Sequence, residues 1–509
     1  MAAGSSPAVP RSPSSDTMQT TVPESGDQHL LTSGGPSSTV SSTTAADHEL
    51  QRVIGVFGAS LLGLGSILGT GVFVGLAVAT DISGSAVLLA LLIAAGTAAC
   101  NALSSAQLAA AYPRSGGTYE YGHILFAKWR GGGLLAFSAG WLFLCAKIAS
   151  AASAALGFAG YSVHMALSAS SGGDSEWPSS NAPVVVVALV ATVLLTALAA
   201  AGLKRSNTAN LVLVGLTVLA LLSFLVAGVT TLVVRGLPER AFDPFLHESG
   251  WWDRLCSLLR ACAFIFVAYT GYGRVATLSE EVHSPRRTIP IAILSTLGTS
   301  FVLYATVACA ALFILSPTEF AALAPSNGAK VAPIEAAARA SSVSGVSWLV
   351  SVGAATSMLG VLLNLLLGLS RVLLAMARRG EVPSLFAQLN RARTTPVAAV
   401  IAVGVCMLPV VAVGSVRVAW SFSAVTVLTY YALTNLAALQ LEERQRFAPR
   451  WVSVAGLVSC LCLAFFIELR MWGVAVMVVA AGHALRFAYR RCALHARAAG
   501  EVRGRVKGA

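Results

Sequence analysis

The chain is 509 residues long, 56% hydrophobic and only 11% charged, with a mean hydropathy of +0.75. Soluble domains carry about 25% charged residues, so this composition cannot cover a water-soluble globule of this size, and an ordinary soluble enzyme is excluded. The net charge of +12 sits in short loops and in the last tail, a distribution that belongs to membrane topology rather than to nucleic-acid binding.

Residues 1–48 are rich in Ser, Thr, Pro and Gly and poor in branched apolar residues, which predicts a disordered tail. They hold no apolar h-region and hence no signal peptide. Asp27-Gln28-His29-Leu30-Leu31 has the spacing of an acidic dileucine sorting signal. Apolar runs long enough to cross a bilayer then recur. They predict twelve spans: 53–80, 85–111, 134–167, 183–203, 207–234, 256–282, 288–316, 346–377, 396–414, 417–440, 451–467 and 471–489. Basic residues gather in alternate loops, among them Arg114, Lys128, Arg130, Lys204, Arg205, Arg286, Arg287, Arg378, Arg379, Arg391 and Arg393, and again after residue 489. That bias predicts cytoplasmic termini. Trp251, Trp252, Trp451 and Trp472 fall at span ends, where amphipathic rings prefer to sit. Most of the nine cysteines lie inside spans and no loop carries a pair, so no structural disulfide is expected.

Two spans differ from the rest. The first contains Gly63-Leu64-Gly65-Ser66-Ile67-Leu68-Gly69-Thr70-Gly71, and the sixth contains Ala268-Tyr269-Thr270-Gly271-Tyr272-Gly273-Arg274. Clustered Gly permits non-helical backbone, which is tolerated at membrane depth only where it lines a cavity or is buried in protein. One broken helix opens the first five spans and the other opens the second five. Matched interrupted segments of this kind point to an inverted repeat with its site at the midplane. Half-helix N-termini suit a carboxylate and free carbonyls suit an ammonium group, so a zwitterionic amino acid uses both.

Four ordered stretches resemble the amino acid–polyamine–organocation (APC) superfamily of permeases. They are Gly65 to Phe73, Tyr112-Pro113-Arg114-Ser115-Gly116-Gly117-Thr118-Tyr119, Phe266 to Tyr272 running into Glu280 to Pro290, and Ser370 to Pro383. The likeness covers roughly residues 50–490 and is greatest to the cationic amino acid transporter and related bacterial permease branch. It implies an all-α integral membrane fold of about twelve transmembrane helices: a LeuT-like 5+5 inverted repeat (53–234 and 256–440) with two discontinuous helices, plus two peripheral helices (451–489), between a tail at 1–48 and a basic tail at 491–509. It implies alternating access, with substrate bound by the backbone of 65–71 and 266–271 and by Ser66, Ile67, Gly69, Thr70, Gly71, Phe266, Ala268, Tyr269 and Gly271. The sequence departs from the pattern twice. Gly273 stands where the cationic branch commonly has Asp, and the fifth span, with Thr217 at the place of the Lys of proton-coupled relatives, holds no ionisable residue.

Ionisable residues within spans are costly and mark function. Lys147 lies more than three turns from either end of the third span, too deep to snorkel, and is expected to replace the missing fifth-span amine in coupling transport to protons. Arg274 is expected to pair with Glu280 or Glu281 in a gate, with Tyr272 as a lid. Arg371 and Arg260 read as structural and interfacial, and Asn364 and Ser370 as weaker polar candidates. No HExxH, paired His ligands or Ser/His/Asp set appears within the spans, so neither an enzyme nor a cofactor is expected. The expected partners are an amino acid, H⁺ or Na⁺ as coupling ion, and the lipid bilayer. The plasma membrane is the default location, with an organelle membrane as the alternative. A polyamine or other organic cation carrier, a channel, and a non-transporting amino acid receptor on the same fold remain the rival functions.

Overall fold

The computed structural model describes residues 54–114, 116–170, 181–202, 207–238, 242–246, 250–277, 282–325, 332–391 and 394–507. The tail at 1–48, its dileucine-like pattern, and Glu280 and Glu281 lie outside the described residues. Among those described, seventeen α-helices form and no sheet does; the extended pairing is one parallel bridge between Ile54 and Val282. A helix satisfies its backbone within one segment, which is what a lipid environment demands.

The first broken span consists of α1 (Val56–Ile67), a π-turn (Gly71–Gly75) and α2 (Leu76–Ser83). Its helix stops where Leu68 turns extended, at φ −70° and ψ 105°. α3 (Val87–Ala111), the short α4 (Thr118–Leu125), α5 (Gly132–Ser170), α6 (Ala182–Ala200) and α7 (Asn207–Arg235) follow. The second broken span is α8 (Trp251–Tyr269), a 3-10 turn (Thr270–Tyr272) and α9 (Gly273–Thr277). This break is milder than the first, since the chain tightens for one turn at Thr270 (φ −78°, ψ 6°) and goes on as helix, without an extended residue. α10 (Pro285–Ile314), α11 (Pro317–Ala322), α12 (Pro333–Ala340), α13 (Val346–Arg378), α14 (Val397–Ala412), α15 (Val416–Ala438), α16 (Arg450–Phe465) and α17 (Leu469–Lys507) complete the chain.

Nine helical segments among the described residues are long and apolar enough to cross a membrane; the first, Val56–Ala111, runs for 56 residues, and α14 and α16 are shorter apolar helices. Large apolar side chains such as Val186, Leu194, Leu222, Val226 and Leu461 stand on the outside. Soluble proteins avoid contiguous apolar surface of this kind. The protein is therefore an integral membrane protein. The expected spans did not include α4, α11 and α12, which are short and amphipathic or capped, and α17 continues past residue 489 as helix.

At the centre, α13 packs on α5 and α7, α15 on α5 and α16, and α10 on α3 and α1. Small residues make these approaches possible. At Gly353 of α13, a Cβ would lie 2.2 Å from that of Ala220 on α7. All nine cysteines are free, Cys262 and Cys460 buried as small apolar residues.

Candidate functional site

The two broken spans meet in the interior. A Cβ on Gly271 would lie 2.5 Å from Ser66 O and from Ile67 Cγ1, and one on Gly71 would lie 2.6 Å from Ala268 Cβ. Glycine at these two places is thus a condition of contact between the breaks.

Breaking a helix strands carbonyl groups, and a buried acceptor left alone costs about 1–3 kcal/mol. Neighbouring side chains take up those of the first break. Asn364 Nδ2 on α13 donates to Gly65 O (2.6 Å), Tyr304 OH on α10 donates to Ile67 O (2.8 Å), and Ser357 Oγ on α13 donates to Leu68 O (2.5 Å). On the donor side the arrangement is the reverse. The leading N–H groups of a helix have no intrahelical partner, and Gly69, Thr70 and Gly71 lead into the second half-helix. Thr70 Oγ1 is buried there with no hydrogen-bond partner among the described residues. The positive end of a helix macrodipole adds to these donors.

The second break offers acceptors. Thr270 Oγ1 donates to Val267 O (2.7 Å), so that hydroxyl proton is committed. Lys147 Nζ, reaching in from α5, donates to Thr270 Oγ1 (2.6 Å) and to Thr270 O (3.2 Å). Tyr431 OH approaches the same carbonyl at 3.4 Å, and Tyr304 OH reaches Ala268 O at 3.3 Å. Tyr304 therefore fastens both breaks through one hydroxyl.

Between the breaks lies a cavity of about 30 Å³. The first break lines it with Ser66, Ile67, Thr70 and Gly71, and the second with Val267, Ala268, Thr270 and Gly271. Lys147 and Ser150 of α5, Val361 and Leu365 of α13, and Trp420 of α15 close the remaining sides. Of the residues expected from sequence, Ser66, Ile67, Thr70, Gly71, Ala268, Gly271 and Lys147 come together here.

The others stand back from the cavity. Gly69 packs under Val361, whose Cγ2 would lie 2.7 Å from an added Cβ. Phe266 turns its ring edge-on to Tyr431, centroids 5.8 Å apart, and Tyr269 lies 5.3 Å from Tyr304. Tyr272 is tilted by 39° against Tyr431, with centroids 5.6 Å apart, and is fully buried. Arg274 is buried against Gly368 of α13, so the glycine makes room for the guanidinium. Its expected partners, Glu280 and Glu281, fall outside the described residues. Arg371 Nη2 donates to Thr394 O (3.2 Å), Arg260 is exposed, and Ser370 bonds back to Leu367 O (2.9 Å). Thr217 likewise bonds its own helix at Leu213 O (2.8 Å).

A second polar cluster joins two of the motifs far from the cavity. Glu381, just past α13, is fully buried and accepts from Tyr119 OH (2.7 Å), from Arg486 and from Arg490 Nη2 (3.2 Å). His123 Nε2 stands 3.6 Å away. Glu120 forms a two-point pair with Arg379 at 2.7 and 2.6 Å. Burial by itself would raise the Glu381 carboxyl; the neighbouring His123, the Tyr119 hydroxyl and the Arg486 charge outweigh it and hold the group below its ordinary value. Sequence gave no sign that α17 supplies the arginines. No group of three or more His, Cys, Asp or Glu among the described residues is placed to hold a metal.

The amino acid permease family model matches residues 54–490, and the chain belongs to that family. It is 38% identical to an uncharacterized transporter of Mycobacterium tuberculosis over 85% of this chain and 90% of that protein. It is 27% identical to the methylthioribose transporter of Bacillus subtilis over 88% of this chain and 96% of that protein. With the vacuolar cationic amino acid transporter 2 of Arabidopsis thaliana it shares 28% identity, over 70% of this chain and 55% of that protein. Family and fold together define an APC-superfamily transporter.

Proposed function

We propose that the chain is a secondary carrier of amino acids that works by alternating access. On this reading Val56–Ala111 crosses twice and α14 and α16 cross as short helices, which gives twelve crossings in a 5+5 inverted repeat with two peripheral helices. The observation that carries the proposal is the cavity between the breaks, with donors on one wall and acceptors on the other. The α-carboxylate of the substrate lies against Thr70 Oγ1 and the N–H groups of Thr70 and Gly71. Its ammonium lies toward the Ala268 carbonyl of the second break, since the Val267 carbonyl already accepts from the hydroxyl and the N–H of Thr270. Lys147 holds the Thr270 acceptors and gains and loses its proton during the cycle. Coupling is thus to H⁺.

The test is uptake of radiolabelled amino acids into proteoliposomes of the purified protein, with and without an inward pH gradient. Saturable uptake raised by the gradient is expected, and Lys147→Met is expected to lose the gradient's effect. Unchanged pH dependence in that variant would sink the role of Lys147. Ligand-induced thermal stabilisation without any uptake would point instead to a receptor on the same fold.

A further inference from the structure

Resting on that reading, we infer that the transported amino acid is neutral with an apolar side chain, that Lys147 refuses cationic side chains, and that Trp420 sets the size limit. The first argument is charge. Lys147 is the one ionisable side chain among the described lining residues, and none of those residues is a carboxylate. Its amine is a donor to Thr270 in this arrangement, because the Thr270 hydroxyl has already given its own proton to Val267 O. A second ammonium or a guanidinium in the cavity would meet donors and no counter-charge. An uncompensated charge in a desolvated site is among the costliest arrangements a protein can hold.

No carboxylate waits nearby to compensate. The buried carboxylates among the described residues are Glu120, Glu335 and Glu381. Glu120 is engaged by Arg379, Glu335 by Arg339, and Glu381 by Arg486 and Arg490. Gly273, which directly follows the second break, brings no side chain; even a Cβ there would lie 2.8 Å from the Tyr431 hydroxyl.

The second argument is the wall that remains. The walls contributed by neither break nor by Lys147 are Ser150, whose hydroxyl is paired with that of Ser423 (2.8 Å), and Val361, Leu365 and Trp420. The last three offer a side chain apolar surface. The Trp420 ring is fixed, since Nε1 donates to Phe264 O (2.8 Å) and the ring leans on Phe264 with centroids 5.8 Å apart. A fixed ring at the edge of a small cavity is a steric limit that loop residues would not provide.

The experiment is a panel of labelled alanine, valine, leucine, phenylalanine, glutamate, lysine, arginine and putrescine, offered to the full chain in proteoliposomes. The expected result is saturable uptake of the neutral apolar amino acids, with lysine, arginine and putrescine weaker by about 100-fold, the ratio set by roughly 2.8 kcal/mol at tenfold per 1.4 kcal/mol. Comparable uptake of lysine, arginine or putrescine overturns the inference while leaving the carrier reading intact, and so does a preference for glutamate. Absence of saturable uptake for every compound removes both. Two variants sharpen the outcome. Lys147→Glu supplies the missing acid and is expected to move the preference toward lysine and arginine. Trp420→Ala is expected to favour phenylalanine over alanine; an unchanged order in Trp420→Ala contradicts the size limit.

Discussion

The two breaks are built from similar glycine clusters, yet the structure treats them in opposite ways. At the first, side chains from α10 and α13 take the carbonyls of Gly65, Ile67 and Leu68, while Thr70 Oγ1 stays unclaimed among the described residues. At the second, the acceptors are shared out among Thr270, Lys147, Tyr304 and Tyr431. One break thus presents donors and the other presents acceptors already loaded with a tethered amine. Sequence symmetry between the halves does not imply chemical symmetry. The difference comes from what the neighbouring helices bring: α10 and α13 at the first break, and α5, α10 and α15 at the second.

The strongest way to break this pairing is to push the two segments apart. In Gly271→Ala the added carbon would lie 2.5 Å from Ser66 O, a backbone atom that cannot rotate away. Overpacking of this kind costs about 1–3 kcal/mol, and here it falls on the site itself. Uptake is expected to drop by tenfold or more, while Gly298→Ala, where nothing lies within 4 Å of the added carbon, leaves it unchanged. Equal losses in the two variants would mean that the contact between the breaks has no special role.

A pair of hydroxyl deletions separates binding from stability. Tyr304→Phe leaves Ile67 O and Ala268 O without the donor they share. It is expected to lower the melting temperature in detergent by a loss of about 1–3 kcal/mol. Thr70→Val removes a hydroxyl that has no partner among the described residues, so the ligand-free protein is expected to melt as before. Its cost appears as weaker substrate, by about tenfold, the value of one lost hydrogen bond of roughly 1.4 kcal/mol. Thr70→Ser restores it. A Thr70→Val protein that is destabilised without substrate would assign the hydroxyl a structural task.

The smallest effect on transport is expected far from the breaks, at Glu381. Its carboxyl sits below the ordinary value in the folded protein. A depressed carboxylate contributes stability above its unfolded value, near 4.3, and that contribution is lost as pH falls through the folded value. The wild-type melting temperature is therefore expected to fall on going from pH 7 to below pH 4 more steeply than that of Glu381→Gln, with uptake at pH 7 reduced only modestly. Parallel melting curves for the two proteins would contradict the assignment.

Much of this was legible in the chain. Glycine clusters at membrane depth located both breaks, because only cavity-lining or protein-buried backbone can leave the helix there. The depth of Lys147 marked it before any contact was known. The partners of the broken backbone were not legible. Tyr304 meets Ile67 across 237 positions and Ser357 meets Leu68 across 289, and no periodicity carries such pairings. Trp420 sits in an apolar helix like many other rings. Phe266 and Tyr269 were expected at the site because they flank its glycines, yet helical geometry turns them onto Tyr431 and Tyr304. The Glu381 cluster needed α17, whose Arg490 read in sequence as part of a basic tail and whose Arg486 was not singled out.

The central claim is that substrate lies between the breaks, carboxylate on Thr70 and ammonium toward the second break. A cryo-electron microscopy structure of the purified protein with its transported amino acid tests this most directly. The account predicts ligand density against Thr70 and Gly71, with the side chain toward Val361, Leu365 and Trp420 and Lys147 beside it. Density elsewhere, or a ligand whose carboxylate is bound by Lys147 rather than by the first break, would contradict it.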